Sequence, residues 1–495
     1  MKDFRIIAGI FVYFLSICFT GCCERTGDSL ITSVEDQPII EPDYSGVTVP
    51  LNIAPMNFLI KGEDKGIKLL IKSGNGTDTE IRLKDGIARF PAGIWRKLLS
   101  ENKGGKIEIS VITIDKKNKL KKYAPFIIYI AEEPTDPYLC YRLLYPGYES
   151  WSEMQIIQRS IEDFTEKIVI ENQLLEDNCV NCHTFLKNNP EKFLIHVRGS
   201  LNGTYFVNGK QVIRRSLRTG KMIANAVYSA WHPSDSNIVF SSNEIVEAFH
   251  MLNDNKIEVY DQSALLLNYN CEKDEISPVE ENDTVKYMET FPCWSPDGKW
   301  LYYCRTEQIK DNFDYRKVKY DLVRRSFNSS SGLFGKAEVV FDANKIGKSV
   351  SLPNISPDGN YLIFVLHNYG TFSIWHKEAD LYLLNLKSNT VDSMSLNSND
   401  VESYHSWSSN GNWIVFSSKR GDGLTARPYL AYFDSKGNIG KPFVLPQKDP
   451  GLYNRLGKTF NRPEFLTGRI IAGPRDFERA SKKEPVRAKW TNWNK

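Results

Sequence analysis

Two cysteines and one histidine stand close together in the segment Cys179-Val180-Asn181-Cys182-His183. Two thiols three positions apart, followed at once by an imidazole, form the pattern to which c-type haem is attached. Each thiol can add to one haem vinyl group as a thioether, and the neighbouring imidazole nitrogen can bind the iron. The segment therefore predicts one covalent haem c, held by Cys179 and Cys182, with His183 as the metal ligand.

Three other interpretations of this segment stay open. The two cysteines could form a local disulfide, which an exported protein permits, or they could be the remains of a lost haem site. They could also bind zinc together with His183 and a fourth group. The sequence has no second C-x-x-C and no H-x-x-x-H, so no neighbouring motif supplies that fourth zinc ligand.

A single haem also needs a second axial ligand or an open position on the iron. His196 is the nearest strong donor after His183, although its alternation with apolar neighbours also fits a strand residue. Met154 and His232 are weaker candidates. Arg198 could pair with a haem propionate, on proximity alone. The sequence therefore predicts His196 as the first candidate for the second ligand.

The N-terminus has the arrangement of a secretory signal, a short basic start followed by an almost wholly apolar run over residues 6–19. Phe19-Thr20-Gly21-Cys22 comes next and resembles the cleavage site of bacterial lipoproteins. The resemblance implies a signal peptide over 1–21, a lipid on Cys22 and a polar tether over 22–44. An ordinary signal peptide is the alternative. We expect anchoring in the bacterial cell envelope, at the outer membrane, on its periplasmic or surface face.

Composition limits the classes of partner. The 63 basic and 60 acidic side chains leave a net charge of +3, which is too small a surplus to favour nucleic acid. Beyond the N-terminal signal no apolar run is long enough to cross a bilayer, so we expect the lipid anchor to be the only membrane contact. Nine cysteines in 495 residues are too sparse to be the scaffold of the fold.

The chain between the expected tether and the repeated region divides into two segments. Residues 45–133 alternate short β-rich runs with turn signals, which predicts a small β-sandwich of immunoglobulin-like type. The segment 134–192 is expected to be a linker that carries the two cysteines. Apolar residues at helical spacing within it predict a helix over about 151–164. At the other end of the chain, 476–495 is expected to be a solvated basic tail, with docking as the alternative.

A turn pattern repeats four times in the second half of the chain. The copies are Trp231-His232-Pro233-Ser234-Asp235, Trp294-Ser295-Pro296-Asp297-Gly298, Ile355-Ser356-Pro357-Asp358-Gly359 and Trp407-Ser408-Ser409-Asn410-Gly411. Each copy places turn residues between two β-rich runs, which is a hairpin signature. The pattern resembles TolB-like β-propellers. The resemblance implies an all-β fold with a six-bladed propeller over 193–475, preceded by the sandwich and the helical linker, and Trp231, Trp294 and Trp407 in blade cores.

The order of these parts resembles exported lipoproteins of unassigned function that combine a β-sandwich, a Cys-Val-Asn-Cys-His segment and a TolB-like propeller. We expect the propeller to be an interaction platform for a protein or glycan, and the haem to give it a redox or haem-sensing role. We do not expect a turnover enzyme. One alternative is a haem-free propeller that binds a protein or glycan, and a weaker one is a hydrolase with its site in the central channel. Trp375-His376-Lys377-Glu378 could belong to a binding face.

Overall fold

The computed structural model of the chain consists almost entirely of β-strands. It describes residues 31–147, 153–250, 257–280, 287–308 and 312–491. The predicted signal peptide and the predicted lipid site at Cys22 lie outside these residues. None of the helices in the described ranges is long and apolar enough to cross a membrane.

The N-terminal domain, residues 31–131, consists of two sheets and one helix. Its elements are β1 (Thr32–Ser33), β2 (Ile40–Glu41), β3 (Thr48–Val49), β4 (Phe58–Ile60), β5 (Lys65–Ser73), β6 (Thr79–Arg82), β7 (Ile87–Ala88), α1 (Ala92–Glu101), β8 (Lys106–Ile114), β9 (Leu120–Lys122) and β10 (Phe126–Ile130). The larger sheet has seven strands in the order β1-β9-β8-β10-β3, with β5 on β8 and β6 on β5. The smaller sheet has the order β2-β4-β7.

Two features of the domain were not expected from the sequence, and the immunoglobulin-like type of the sandwich stays a prediction. Helix α1 was not predicted, yet Trp95 on it has no exposed area and donates its indole N–H to the carbonyl oxygen of Ile53 at 2.9 Å. The predicted tether over 22–44 is part of the fold from β1 onwards, because β1 pairs with β9 and β2 pairs with β4. Strands of two residues give no alternating pattern that sequence could reveal.

The rest of the chain forms further strands and a second helix. These elements are β11 (Tyr138–Leu144), β12 (Met154–Ser160), β13 (Glu166–Glu171), β14 (Cys179–Phe185), β15 (Lys192–Arg198), β16 (Gly203–Asn208), β17 (Gln211–Ser216), β18 (Ala226–Trp231), β19 (Asn237–Phe249), β20 (Ile257–Asn270), β21 (Glu275–Pro278), β22 (Tyr287–Trp294), β23 (Trp300–Glu307), β24 (Asp321–Asn328), β25 (Leu333–Phe341), β26 (Ser349–Ile355), β27 (Tyr361–His367), β28 (Asp380–Asn385), β29 (Thr390–Ser393), β30 (Glu402–Trp407), β31 (Trp413–Ser418), β32 (Arg427–Tyr432), β33 (Phe443–Val444), β34 (Thr459–Leu466), α2 (Pro474–Ser481), β35 (Val486–Arg487) and β36 (Lys489–Trp490).

These strands build a ring of antiparallel sheets, which is a β-propeller. Sheet 1 has the order β34-β11-β12-β13, and sheets 2 to 6 begin with β14, β18, β22, β26 and β30 and continue outwards in chain order. The innermost strands contact one another in the sequence β14, β18, β22, β26, β30, β34. The ring closes where the backbone N–H of Phe185 on β14 donates to the Glu464 carboxylate on β34 at 3.3 Å. The described residues thus surround one central channel.

The predicted linker over 134–192 belongs to this propeller instead. It supplies β11, β12 and β13 of sheet 1 and β14, the innermost strand of sheet 2. The prediction of a helix over about 151–164 is wrong for the described part of that segment, which contains β12. Since β12 lies between β11 and β13 and is buried on both faces, its apolar residues do not alternate, and their spacing coincides with that of a helix.

The four predicted hairpin turns are present between the first and second strands of sheets 3 to 6. In the second of them, Ser295 donates its hydroxyl to Asp297 at 2.6 Å, and Gly298 has a φ of +70°. Trp231, Trp294 and Trp407, which precede three of the turns, are 4 to 8% exposed and pack in the apolar layers between sheets. The tryptophans are therefore core residues of the propeller.

The basic C-terminal segment is docked as far as residue 491. Helix α2 buries Phe477 and Ala480 against Leu466 and Ile470. β35 then pairs in parallel with β17, the outer strand of sheet 2, and β36 pairs in parallel with β21, the outer strand of sheet 3. The structure of this tail agrees better with the alternative of a docked segment than with the expectation of a solvated end.

Alanine substitutions at Gly298 and Gly359 should separate backbone strain from a steric clash. Both glycines have a left-handed backbone, with φ of +70° and +73°, which costs alanine about 1 kcal/mol. A Cβ at Gly298 would also lie 2.5 Å from His232 Nε2, whereas at Gly359 the nearest atom is Pro296 Cδ at 3.8 Å. We expect Gly359→Ala to lower the free energy of unfolding by about 1 kcal/mol. Gly298→Ala should lower it by roughly 1 to 3 kcal/mol more. Urea unfolding measures both, and equal losses would contradict the clash.

Candidate functional site

The innermost strands share one irregularity, a bulge that turns side chains into the central channel. The first bulge residue has a φ between 43° and 53° in five of the six strands. These residues are Tyr228, Phe291, Leu352, Tyr404 and Arg462. In β14 the register shifts between Val180 and His183, so Asn181 and Cys182 occupy the bulge. A bulge re-aims the side chains next to it. The bulge at Asn181 and Cys182 in sheet 2 is therefore equivalent to the bulges in the innermost strands of the other sheets.

Two cavities occupy the ends of the channel. The first, of about 440 Å³, is lined by Cys179, Cys182, His183, Met154, Trp375 and Lys419 among others, and we name it the thiol cavity. The second, of about 470 Å³, lies towards the hairpin turns and is lined by Trp231, Trp294, Trp407 and Glu464 among others. Tyr228, Tyr404 and Arg462 line both and separate them. Both volumes are in the range of small-molecule sites.

The two thiols are free and lie at the same cavity. Cys179 is 6% exposed, Cys182 is partly exposed, and no disulfide joins them. The Sγ atom of Cys179 lies 3.8 Å from Nη2 of Arg142. Burial raises the pKa of the Cys179 thiol, and the positive charges of Arg142 and Arg198 act in the opposite direction. The disulfide interpretation is not what this structure contains.

His183 is fully buried and poorly satisfied. Neither ring nitrogen makes a hydrogen bond of normal geometry, and Nε2 lies 3.8 Å from Oε1 of Glu464. Burial, with a further contribution from the charge of Arg462, lowers the pKa of His183 to about 3. Burial raises the pKa of Glu464 to about 7. Near neutral pH the imidazole is therefore uncharged, although backbone hydrogen-bonding contributions from Arg462 and Cys140 favour its protonated form.

Two arginines next to the thiols have no acidic partner among the described residues. Arg142 and Arg198 have no carboxylate within 4.0 Å of their guanidinium nitrogens in those ranges. They share the side chain of Asn181, whose amide oxygen lies 3.3 Å from Arg142 Nη1 in one orientation and 3.1 Å from Arg198 Nε in the reversed one. Arg462 differs, since its Nε lies 3.6 Å from Glu464. The thiol end of the cavity is thus positively charged.

Of the three candidates for the second axial ligand of the iron, the structure places one at the thiol cavity and two away from it. His196 lies on β15, paired with Thr204, and it does not line the thiol cavity. His232 points away from the cavity, because its Nε2 lies 3.0 Å from the carbonyl oxygen of Gly298. Met154 does line the cavity, with its sulfur 3.3 Å from Arg142 Nη2. Sequence proximity favoured His196, but adjacent strands of a sheet place it behind the channel-lining strand.

Two residues on the other side of the cavity were not predicted as a pair. Lys419 is 3% exposed, and its Nζ lies 3.5 Å from the ring centroid of Trp375. Burial lowers the pKa of the Lys419 amine to about 7. The sequence indicates a loop at Trp375, but nothing in it connects that loop with a lysine in another repeat.

The arrangement disfavours two of the alternative chemistries. In the described ranges no three His, Cys, Asp or Glu side chains are placed to hold a metal ion, so the zinc interpretation has no ligand set. Within the same ranges Glu247 is the one carboxylate that lines the thiol cavity, and Glu464 is the one that lines the second cavity. A hydrolase that works with paired carboxylates needs two in one cavity, so this observation counts against a channel hydrolase.

Comparisons with known proteins add little to this description. No protein family matches the sequence, and no curated protein matches it either. The chain is similar to an oligogalacturonate lyase of Vibrio parahaemolyticus, at 11% identity and a TM-score of 0.33 over 61% of this chain and 92% of that chain. It is also similar to the Dos1 propeller, at 13% identity and a TM-score of 0.29 over 48% and 66% of the two chains. The fold assignment stands on the ring of sheets itself.

The cysteines should differ in their reactivity towards a small alkylating reagent in the folded protein. Cys182 is partly exposed to the thiol cavity, so we expect it to react first at mildly alkaline pH. Cys140 and Cys304 have no exposed area and should react after unfolding. Burial raises the pKa values of Cys271 and Cys293 to about 12, so few thiolates form there and both should react slowly. Peptide mass spectrometry measures the order, and early labelling of Cys304 would contradict it.

Lys419→Met should change how stability depends on pH. The folded-state pKa of Lys419 is about 7, against its ordinary value of 10.5. Between these values the unfolded chain binds more protons, so this lysine makes the wild-type protein more stable as the pH rises. Methionine does not titrate. The free energy of unfolding of the wild type minus that of the variant should therefore rise from pH 7 to pH 10 and stay constant below pH 7. A difference that is flat throughout would contradict the burial of an amine.

Proposed function

We propose that the protein is a lipoprotein of the bacterial cell envelope whose β-propeller holds one covalent haem c in the thiol cavity. One observation carries the proposal: two free thiols and the uncharged imidazole of His183 line the same cavity. A haem there would supply one-electron transfer or the binding of a small ligand to iron. The proposed role is redox chemistry or haem sensing by a binding protein, without turnover of a substrate.

The lining of the thiol cavity suits a flat, largely apolar group. The thiols of Cys179 and Cys182 are the nucleophiles, and the charges of Arg142 and Arg198 partly offset the burial that raises the pKa of the Cys179 thiol. Ile245, Val259 and Leu424 are among the apolar side chains of the wall. Such walls keep water away from the site.

His183 would supply the imidazole nitrogen to the iron. Because its pKa is about 3, the ring is uncharged at neutral pH and keeps a lone pair that can bind iron. The other nitrogen can then donate its N–H to Glu464, whose Oε1 lies 3.8 Å from the ring in the haem-free chain. A carboxylate in this place is a frequent outer partner of metal-binding histidines. Met154 is the one predicted second ligand that lines the cavity, and it replaces His196 in the proposal.

The proposal also includes an anchor and a partner. Lipidation of Cys22 rests on the N-terminal sequence, and the predicted location at the outer membrane follows from it. The second cavity, which lies towards the hairpin turns, is the face that we assign to a protein or glycan partner, because its volume is in the range of binding sites and turn residues such as Pro233, Pro296 and Pro357 line it. No nucleic acid is expected.

Expression together with a cytochrome c maturation system tests the haem. We expect a Soret absorption band that stays with the protein after acid–acetone extraction, and a mass increase of one haem. Cys179→Ser with Cys182→Ser should abolish the covalent band, because no thiol is left to form a thioether. Cys271→Ser is the matched control, since Cys271 is also partly exposed but lies outside the thiol cavity, and it should keep the band.

One result of this expression experiment would contradict the proposal. A chain that leaves the maturation system with two free thiols or with a disulfide, and with no added mass, would refute haem attachment. The remaining function would then be that of a haem-free binding propeller.

A further inference from the structure

Lys419 and Trp375 lie across the channel from the two thiols. Cys179 and Cys182 are on β14 of sheet 2, and Trp375 lies between β27 and β28 of sheet 5. In a ring of six sheets, sheets 2 and 5 are three positions apart in either direction and face each other. Lys419 follows β31 of sheet 6, next to sheet 5. The thiol cavity therefore extends from the cysteines on one side to this pair on the other.

Below about pH 7 the amine of Lys419 is a buried cation without an acidic partner among the described residues. Its side chain is 3% exposed, and within the described ranges it has no carboxylate within 4.0 Å and no hydrogen bond. Asp422, one of the two carboxylates whose charge acts on Lys419, accepts instead from the backbone N–H groups of Leu424 at 2.9 Å and Thr425 at 2.7 Å. The Trp375 ring stabilises the ammonium by a cation–π contact but leaves its N–H groups unused. An anionic ligand group would satisfy them.

The chemistry of haem decides which group that is. The two vinyl groups and the two propionates are on opposite edges of the porphyrin. Thioethers to Cys179 and Cys182 fix the vinyl edge at sheet 2, so the propionate edge is directed away from β14 and across the channel. Arg198 is paired with Cys179 in the strand register and therefore lies at the vinyl edge, whereas Lys419 lies at the far wall.

We propose that Lys419 and Trp375 form the subsite for the carboxylate edge of a porphyrin dicarboxylate. This inference rests on the proposed function. Lys419 donates hydrogen bonds to a propionate, and the Trp375 ring lies beside the apolar macrocycle. The subsite acts without any covalent bond, so it selects the orientation in which the vinyl groups face the thiols. Arg142 and Arg198 remain beside the attachment point.

Porphyrin binding to a chain that cannot form thioethers tests this subsite. The Cys179→Ser, Cys182→Ser protein is titrated at mildly acidic pH with deuteroporphyrin IX, which has both propionates and no vinyl groups, and with its dimethyl ester. Porphyrin absorbance and fluorescence give both dissociation constants. We expect the diacid to bind about tenfold more tightly than the ester, because a charge-assisted hydrogen bond is lost in the ester.

Lys419→Met in the same background should weaken binding of the diacid about tenfold and leave binding of the ester unchanged. Lys377→Met is the matched control, since Lys377 is exposed and does not line the cavity, and it should change neither constant. Trp375→Ala should weaken both, since the diacid and the ester share the macrocycle. Thermal unfolding of each variant shows that the fold is kept.

The outcomes separate this inference from the proposed function. Equal affinities for diacid and ester, an unchanged diacid constant in Lys419→Met, or no porphyrin binding would each overturn the subsite. Covalent haem attachment, measured by the extraction and mass experiment on the unsubstituted cysteines, is decided independently of these constants. A positive attachment result with a negative titration would leave the haem in place and reject Lys419 as its propionate partner.

Discussion

The pairing of β34 with β11 is the contact on which the rest of the structure depends. Six paired positions run from Tyr138 with Leu466 to Leu144 with Thr459, and Leu139 and Phe465 are fully buried in the same pair of strands. Closing a long chain segment costs entropy that grows slowly with its length, and the ring offsets this cost by burying apolar residues of sheet 1 against sheets 6 and 2. β34 also carries Arg462 and Glu464 into the channel. The seam between the two ends of the ring and the candidate site are therefore the same place.

The bulges of the innermost strands explain how polar and thiol side chains come to line the central channel. In five strands a residue other than glycine holds a left-handed backbone, which costs about 1 kcal/mol each and persists because neighbouring sheets fix the strand on both sides. β14 differs, since Asn181 does not have a positive φ. Its bulge carries a short polar side chain and a thiol where other strands carry Tyr228 or Tyr404. At Asn181 and Cys182, therefore, both the backbone conformation and the residue types of the bulge differ from those in the other innermost strands.

Sequence patterns predicted the repeated part of the molecule and the cysteine segment, for physical reasons that can be named. Turn residues such as Asp297 and Gly298 act locally, so four copies of the turn revealed the hairpins. β12 was mistaken for a helix because burial on both faces removes the alternation of a strand. The pairing of β34 with β11 and the contact of Lys419 with Trp375 join residues far apart in the chain. No local preference encodes such contacts, and a single sequence does not reveal them.

The C-terminal tail has a consequence for how the molecule behaves in crowded surroundings. The outermost strand of a sheet offers unpaired N–H and C=O groups to any passing strand. β35 and β36 fill these positions on sheets 2 and 3, and sheets 5 and 6 end in β29 and β33, which have four and two residues. An outer strand that is short or already paired offers another chain few free N–H and C=O groups. Four of the six outer edges are thus short or covered, whereas β13 of sheet 1, with six residues, and β25 of sheet 4, with nine, pair with no further strand in the described part of the chain.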